Sequence, residues 1–201
     1  MLKQLLMTLA LLSSSAQAYH EFEINLNNKD LDLHLDLDMG QFNDNVEPEN
    51  LMILTRLLIG SDENAKLPNE KSENLLGELG FMAQARSVMA PGLTMGMGLK
   101  LAYGNQSDGS VFALPIGAKA DYVLPFDIFI PIHIGGQFYY APEVLSFSDS
   151  TSYMEYEGNI DLELMERGLI TMGYRGIDTP LKNYSKSYYN RSFFFGFKFK
   201  F

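Results

Sequence analysis

Apolar and polar residues alternate along most of this chain with a period of two. In residues 93–104, for example, Leu, Met and Tyr occupy the odd positions, and Thr, Gly, Lys and Ala occupy the even ones. Successive side chains of a β-strand point to opposite faces, so this alternation predicts strands with one apolar and one polar face. The pattern predicts strands at residues 21–27, 31–39, 51–59, 74–86, 93–104, 112–124, 126–140, 154–164, 170–175 and 193–201.

The last of these strands has the sharpest alternation. Its odd positions are all phenylalanine: Phe193, Phe195, Phe197, Phe199 and Phe201. The even positions 196, 198 and 200 hold one Gly and two Lys. An aromatic stripe opposite a charged face suits the closing strand of an outer-membrane barrel, which contacts lipid on one side only. The stripe also resembles the C-terminal signal that the barrel assembly machinery recognises, so we expect these five rings to form an assembly signal.

The connections between the predicted strands alternate in length. Those after strands four, six and eight are short, whereas those after strands three, seven and nine are long. Short turns at one end, long loops at the other and an even strand number are typical of single-chain outer-membrane barrels. We therefore predict an all-β fold, an antiparallel up-and-down transmembrane β-barrel of about ten strands. Because the first two strands are short, eight membrane-length strands plus a separate hairpin is an alternative.

Two prolines fall inside predicted strands. Pro115 lies in the sixth strand and Pro131 in the seventh, which we expect to begin directly after a tight turn at Leu124-Pro125-Phe126. Proline has no amide hydrogen to donate to a neighbouring strand, so we expect a bulge at each position.

The N-terminus has the pattern of a secretory signal peptide. Lys3 is followed by an apolar run at 5–12 and by the small-residue motif Ala16-Gln17-Ala18. This arrangement predicts a signal peptide at residues 1–18 and export of a single domain at 19–201. The apolar run is far shorter than the roughly 20 residues that a membrane-spanning helix needs.

Composition narrows the possible partners. The chain has 15 Lys and Arg against 25 Asp and Glu, for a net charge of −10, which makes nucleic acid an improbable partner. It contains no Cys, so disulfides and thiolate metal sites are excluded. We expect no cofactor and no metal.

The polar face decides which side of the barrel faces inward. A soluble periplasmic ligand-binding barrel would show the same alternation with the apolar face inside. Here the polar face carries many glycines and charges of both signs, which suits a crowded interior in which ions must pair. The predicted lumen charge network consists of Arg56, Glu78, Arg86, Lys100, Lys119, Asp121, Glu157, Asp161, Glu163, Arg175, Lys198 and Lys200.

One pairing can be predicted from the short turn after strand eight. If Glu163 lies opposite Thr171, then Asn159 faces Arg175, and the diagonal neighbours of that arginine are Glu157 and Asp161. We predict that these two carboxylates hold Arg175 inside the lumen.

Three segments in the second half of the chain match a known family. They are Phe138-Tyr139-Tyr140-Ala141-Pro142-Glu143-Val144-Leu145-Ser146, Tyr153-Met154-Glu155-Tyr156 and Gly173-Tyr174-Arg175-Gly176-Ile177. Together with the Pro-containing turn at 124–126, they resemble the YfaZ family of Gram-negative outer-membrane proteins. The resemblance is good from about residue 93 onward and weaker before it. It implies an outer-membrane barrel and implies no reaction.

The chain contains few candidates for chemistry. It has neither a Gly-x-Ser-x-Gly elbow nor a phosphate-binding Gly loop. His133 suits a hydrogen bond in the lumen better than a place in a lipid-modifying active site. The Asp32, Asp36 and Asp38 ladder could bind Ca²⁺, although a solvated strand face is favoured. The last loop holds a basic cluster that could contact lipopolysaccharide phosphates, with a plain solvated loop as the alternative: Lys182, Lys186 and Arg191.

These observations predict a small, monomeric outer-membrane barrel with a mostly closed, charge-paired lumen and a structural or surface-interaction role. Its expected partners are outer-membrane lipid, lipopolysaccharide and, during biogenesis, the barrel assembly machinery. The alternatives are a narrow, porin-like channel for small solutes, an outer-membrane lipid-modifying enzyme, and a soluble periplasmic barrel.

Overall fold

The computed structural model describes residues 19–43, 45–61, 73–106, 109–126, 129–182 and 188–201. The predicted signal peptide lies outside these residues. Within the described ranges, the only helices are two single 3₁₀ turns at Met39–Gln41 and Glu143–Leu145, and no helix is long and apolar enough to cross a membrane. The strands are β1 Glu21–Leu26, β2 Asp30–Asp38, β3 Leu51–Ser61, β4 Glu73–Arg86, β5 Leu93–Gln106, β6 Gly109–Ala113, β7 Ile116–Val123, β8 Ile132–Ala141, β9 Ser146–Ser148, β10 Tyr153–Met165, β11 Gly168–Asp178 and β12 Tyr188–Lys200.

Ten of these strands close into an antiparallel barrel. Its circular order is β1, β2, β3, β4, β5, β7, β8, β10, β11 and β12, and β12 pairs back onto β1. The predicted all-β, up-and-down barrel is therefore confirmed. The alternative with a separate N-terminal hairpin is wrong, because β1 pairs with β12 and β2 pairs with β3 in the barrel wall.

The barrel has two ends of different construction. The terminal end carries the first described residues, the last residue Phe201 and the connections that follow β2, β4, β7 and β10. The loop end carries the connections that follow β1, β3, β8 and β11. At the terminal end, the amide of His20 donates to the carbonyl of Phe201 at 3.1 Å and the amide of Phe201 donates to the carbonyl of His20 at 2.9 Å. The first described residues thus hold the last one in place.

Neither proline produces the predicted bulge, because Pro115 lies between two strands and Pro131 precedes one. The predicted sixth strand divides into β6 and β7 around Pro115, because β6 pairs with β9 whereas β7 pairs with β8. The Leu114 amide donates to Leu145, and the Pro115 carbonyl accepts from Lys100. Pro131 precedes β8, so the turn after β7 extends to residue 131, and the tight turn predicted at 124–126 is wrong.

The apolar face of the wall points outward. Met97 on β5 is 71% exposed, and Phe193 and Phe195 on β12 are 77% and 57% exposed. The inward apolar face that the soluble-barrel alternative requires is therefore wrong. Phe199 is half-buried, and Phe201 is only 5% exposed, because its ring packs against those of Phe199 and His20.

An apolar cluster fills the interior towards the loop end. Apart from Leu181, its members lie on β3, β4, β5, β6, β8, β10, β11 and β12, and all are almost completely buried: Leu58, Leu76, Ala102, Val111, Ala113, Ala141, Tyr153, Ile177, Leu181 and Tyr189. Leu145 packs against the cluster. Among the described residues, this cluster lies on the loop-end side of the charged middle of the barrel, together with the buried polar residues Asp30, Asn74 and Asn190.

Candidate functional site in the barrel interior

The middle of the interior contains a cluster of ions from four strands. Arg56 on β3 lies directly opposite Glu78 on β4, and Lys100 on the adjacent β5 reaches both Glu78 and Glu155 of β10. The Lys100 Nζ atom lies 3.1 Å from Glu78 Oε2 and 3.0 Å from Glu155 Oε2. Alternation places all four side chains on the inner face, where pairing offsets part of the cost of removing ions from water.

Two tyrosines complete this cluster. The Tyr153 hydroxyl donates to Glu78 Oε1 at 2.6 Å, and Lys100 Nζ lies 4.0 Å from the centroid of the Tyr139 ring. Hydrogen bonds and a cation–π contact stabilise the buried charges further.

Arg175 of β11 is completely buried beside this cluster, but its predicted partners are wrong. It donates to Asp32 of β2, and its Nε atom lies 3.3 Å from Asn190 Oδ1. Asp32 also accepts from Arg56 Nε at 2.9 Å and from Arg56 Nη2 at 3.0 Å, so one carboxylate holds two guanidinium groups.

The β10–β11 register also differs from the predicted one, although this shift brings Glu157 directly opposite Arg175 and so does not explain why Arg175 pairs with Asp32 instead. Glu163 pairs with Leu169 rather than Thr171, so Glu157 lies directly opposite Arg175 and Asp161 lies opposite Thr171. A shift of two residues preserves which side chains face inward, but it changes every partner.

Lys198 of β12 forms a third group nearer the terminal end. Its Nζ atom lies 2.9 Å from Asp161 Oδ2 and 3.4 Å from Glu23 Oε2. Glu23 is the residue opposite Lys198 in the β1–β12 ladder, and Asn159 donates to Asp161 at 2.8 Å.

The other predicted network residues make looser contacts. Lys119 Nζ lies 4.0 Å from Asp36 Oδ2. The two ring nitrogens of His133 face Asp121 at 3.5 Å and Glu163 at 3.3 Å.

The remaining predicted members differ in position. Arg86 pairs with Glu49 on the exposed rim and is not part of the interior network. Lys200 lines the cavity at the terminal end, and Glu157 Oε2 lies 3.9 Å from Arg56 Nη2.

The predicted lumen charge network omitted several of the most buried acidic residues. Asp32 and Glu155 are 0% exposed and Glu23 is 6% exposed. The interpretation of the Asp32, Asp36 and Asp38 ladder as a solvated face was wrong. The alternation of β2 could have revealed their position. It places these carboxylates on the inner face, next to β3, which carries Arg56.

A Ca²⁺ site on this ladder gains no support. The Asp32 carboxylate is occupied by guanidinium groups and by His34, and Asp38 accepts from the Gly40 amide. Among the residues that the structure describes, no group of three or more His, Asp or Glu side chains is arranged to hold a metal ion.

Two adjoining cavities occupy the interior between the charged cluster and the terminal end. The deeper one has a volume of about 40 Å³ and the outer one about 410 Å³. Both are lined by Asp36, Leu54 and Met82, and the outer cavity also contacts the rim residues Tyr19 and Arg86. The interior is thus accessible from the terminal end.

The basic cluster predicted in the last loop is already partly engaged. Arg191 pairs with Asp178 at 2.7 Å, and Lys182 Nζ donates to the Ser148 carbonyl at 2.9 Å. Lys186 lies outside the described residues.

Together, these features define a closed β-barrel whose apolar side chains face outward and whose ionic groups are paired inside. The family model YfaZ, with the description "YfaZ precursor", matches residues 69–201. Because this match spans well over half of the 201 residues, the chain belongs to the YfaZ family.

No curated protein matches the chain. Among solved structures, this chain is similar to one titled "Unveiling the Mechanism Behind the in-meso Crystallization of Membrane Proteins". The alignment covers 91% of this chain and 83% of the chain in that structure. The identity is 10% and the TM-score 0.38.

Proposed function

We propose that this protein is exported and resides in the bacterial outer membrane as a closed barrel with a structural or surface-interaction role. The observation that carries the proposal is the orientation of the wall. Met97 and Phe193 point outward with 71% and 77% exposure, whereas Arg175 and Glu155 point inward with none. An apolar exterior around a charged interior is stable in lipid and costly in water.

Export is supported by two further observations. The first 18 residues have the order of a secretory signal, with a basic residue, an apolar run and a small-residue motif. The matched family also carries the word precursor in its description.

A structural or surface role is favoured over transport by the way the interior is filled. The ion pairs around Arg56 and Arg175 cross the barrel, and the apolar cluster around Tyr153 and Leu58 fills part of the interior on their loop-end side. A channel for small solutes would need a continuous polar path. A lipid-modifying site would need reactive groups facing the lipid, whereas His133 faces inward between two carboxylates.

Cell fractionation and single-channel recording test this proposal. We expect the protein in the outer-membrane fraction, extractable only by detergent, with heat-modifiable migration on SDS gels. In planar bilayers the folded barrel should give no steady current. Recovery as a soluble periplasmic protein would contradict the location, whereas a steady open-channel current would contradict the closed interior and favour the channel.

A further inference from the structure

The ions of the interior are shared: two of the lysines each contact two carboxylates, whereas Asp32 accepts from two guanidinium groups. Lys100 contacts Glu78 and Glu155, and Lys198 contacts Glu23 and Asp161. Among the buried side chains that the structure describes, carboxylates nevertheless outnumber Lys and Arg: the acids are Glu23, Asp30, Asp32, Asp38, Glu78, Glu155 and Asp161, and the cations are Arg56, Lys100, Arg175 and Lys198.

Among the described residues, two buried carboxylate oxygens accept no hydrogen bond, Asp38 Oδ2 and Glu157 Oε2, and of the two residues only Glu157 lines the deeper cavity. Glu157 Oε2 accepts no hydrogen bond, although the Glu157 side chain is only 8% exposed. Its nearest cation is Arg56 at 3.9 Å, and that guanidinium is already bonded to Asp32 and Glu155. A buried carboxylate oxygen without a donor is unfavourable, so this position favours a cation from outside.

The space beside Glu157 has a specific shape and lining. Glu157 lines the deeper cavity of about 40 Å³, which is large enough for an ammonium group. Opposite the acids, the side chains of Met52, Leu54 and Met82 form a buried apolar cluster that continues into the outer cavity of about 410 Å³. A ligand that enters from the terminal end would thus meet the apolar cluster on one side and charged side chains of both signs on the other. The lysines that line the deeper cavity each lie within 4.0 Å of a carboxylate already: Lys100, Lys119 and Lys198. Among the described residues, this leaves Glu157 Oε2 as the buried carboxylate acceptor of that cavity without a hydrogen bond.

We propose that this interior site binds a primary aliphatic amine, with the ammonium group at Glu157 and the alkyl chain against Leu54 and Met82. The ammonium donates to Glu157 Oε2, and the chain displaces water from the methionine and leucine side chains. A bare metal ion is disfavoured by the absence of a ligand cluster among the described residues. The site goes beyond the proposed location and role, because it requires only a folded barrel.

Calorimetric titration of the detergent-folded barrel tests the site. The probes are butylammonium, uncharged 1-butanol and anionic butyrate, each also titrated into empty micelles. We expect saturable binding of butylammonium alone. Glu157→Gln should weaken this binding at least tenfold, whereas Glu143→Gln, on the exposed 3₁₀ turn at the loop end, should leave it unchanged.

A second variant tests the charge of the site, and heat-modifiable migration checks the folding of both variants. Glu157→Lys places an ammonium group in the cavity, so it should remove butylammonium binding while the barrel keeps its heat-modifiable migration. Absence of butylammonium binding by the folded wild-type barrel would overturn the proposal, as would equal binding of 1-butanol or unchanged binding in Glu157→Gln. Because folding is monitored separately, these outcomes leave the proposed membrane location unaffected.

Discussion

Arg175 shows how strongly a single residue depends on its partners in this interior. Its guanidinium is completely buried, donates to Asp32 and lies 5.6 Å from the centroid of the Phe194 ring. Removing one member of a buried ion pair leaves the other charge uncompensated, which is far more costly than losing an exposed pair.

We therefore expect Arg175→Met to lower the free energy of unfolding by about 3–5 kcal/mol. Urea unfolding of the detergent-folded barrel, followed by circular dichroism, measures the change. The matched control is Arg86→Met, since Arg86 pairs with Glu49 on the exposed rim and should contribute about 0–1 kcal/mol. Equal losses in the two variants would contradict the importance of burial.

His20 couples the stability of the terminal end to pH. Its Nδ1 accepts from the Asp38 amide at 3.0 Å, and its ring packs against Phe42 and Phe201. Burial lowers the pKa of His20 below its usual value, and the nearby Asp38 carboxylate only partly opposes this effect. The unfolded state therefore binds the proton more tightly than the folded state.

The stability that comes from neutral His20 should be fully present above about pH 6.5, the usual pKa of an unfolded histidine. It should be lost as the pH falls through the lower pKa that His20 has in the folded protein. In His20→Asn, where the amide oxygen replaces Nδ1 as acceptor, the loss of stability between pH 7.5 and pH 5 should be smaller. The urea unfolding midpoints of the wild type and of His20→Asn at both pH values check this prediction. The comparison isolates His20, because the carboxylates contribute equally to the pH dependence of the two proteins. An identical pH dependence in both would refute a role for His20.

At the scale of elements, close strand packing depends on glycine at one point of the C-terminal strand. A Cβ atom at Gly196 would lie 1.9 Å from Asn25 Oδ1 and 2.5 Å from the Ile24 carbonyl, so neighbouring backbone would have to move. At Gly158 the nearest atom would be 4.0 Å away, which is an ordinary contact distance.

Gly196→Ala should accordingly destabilise the barrel by about 1–3 kcal/mol through overpacking. Gly158→Ala should change the stability by less than about 0.5 kcal/mol. Thermal shifts of the heat-modifiable gel band for the two variants provide the comparison. Equal tolerance of both substitutions would show that β1 and β12 can separate without cost.

The elements themselves could largely be predicted, because a period of two determines both the strand and its faces. The partners that each side chain contacts could not be predicted. The β10–β11 register depends on an irregularity between Glu163 and Met165 that residue spacing does not reveal. Likewise, the division at Pro115 depends on β9, a three-residue strand in a segment that has the composition of a loop.

At the scale of the whole molecule, inward and outward faces could be predicted, but contacts across the barrel could not. Asp32 and Arg175 are separated by 143 positions in the chain, and only barrel closure brings them together. The apolar cluster towards the loop end also combines residues from many strands. No single one of these residues could be recognised from the sequence as one that fills the interior.

The orientation of the wall leads to a prediction for the whole barrel in lipid. Leu99 lies near the middle of β5 with its side chain 46% exposed on the outer face. A charge at the midplane of a bilayer costs about 2–4 kcal/mol on a barrel exterior, so Leu99→Arg should destabilise the lipid-folded protein by that amount. Val88→Arg is the matched control, because Val88 lies in the turn after β4 and is 96% exposed. Folding titrations in phosphatidylcholine vesicles compare the two, and if Leu99→Arg were tolerated as well as Val88→Arg, the outer face of β5 would not lie in the hydrocarbon core.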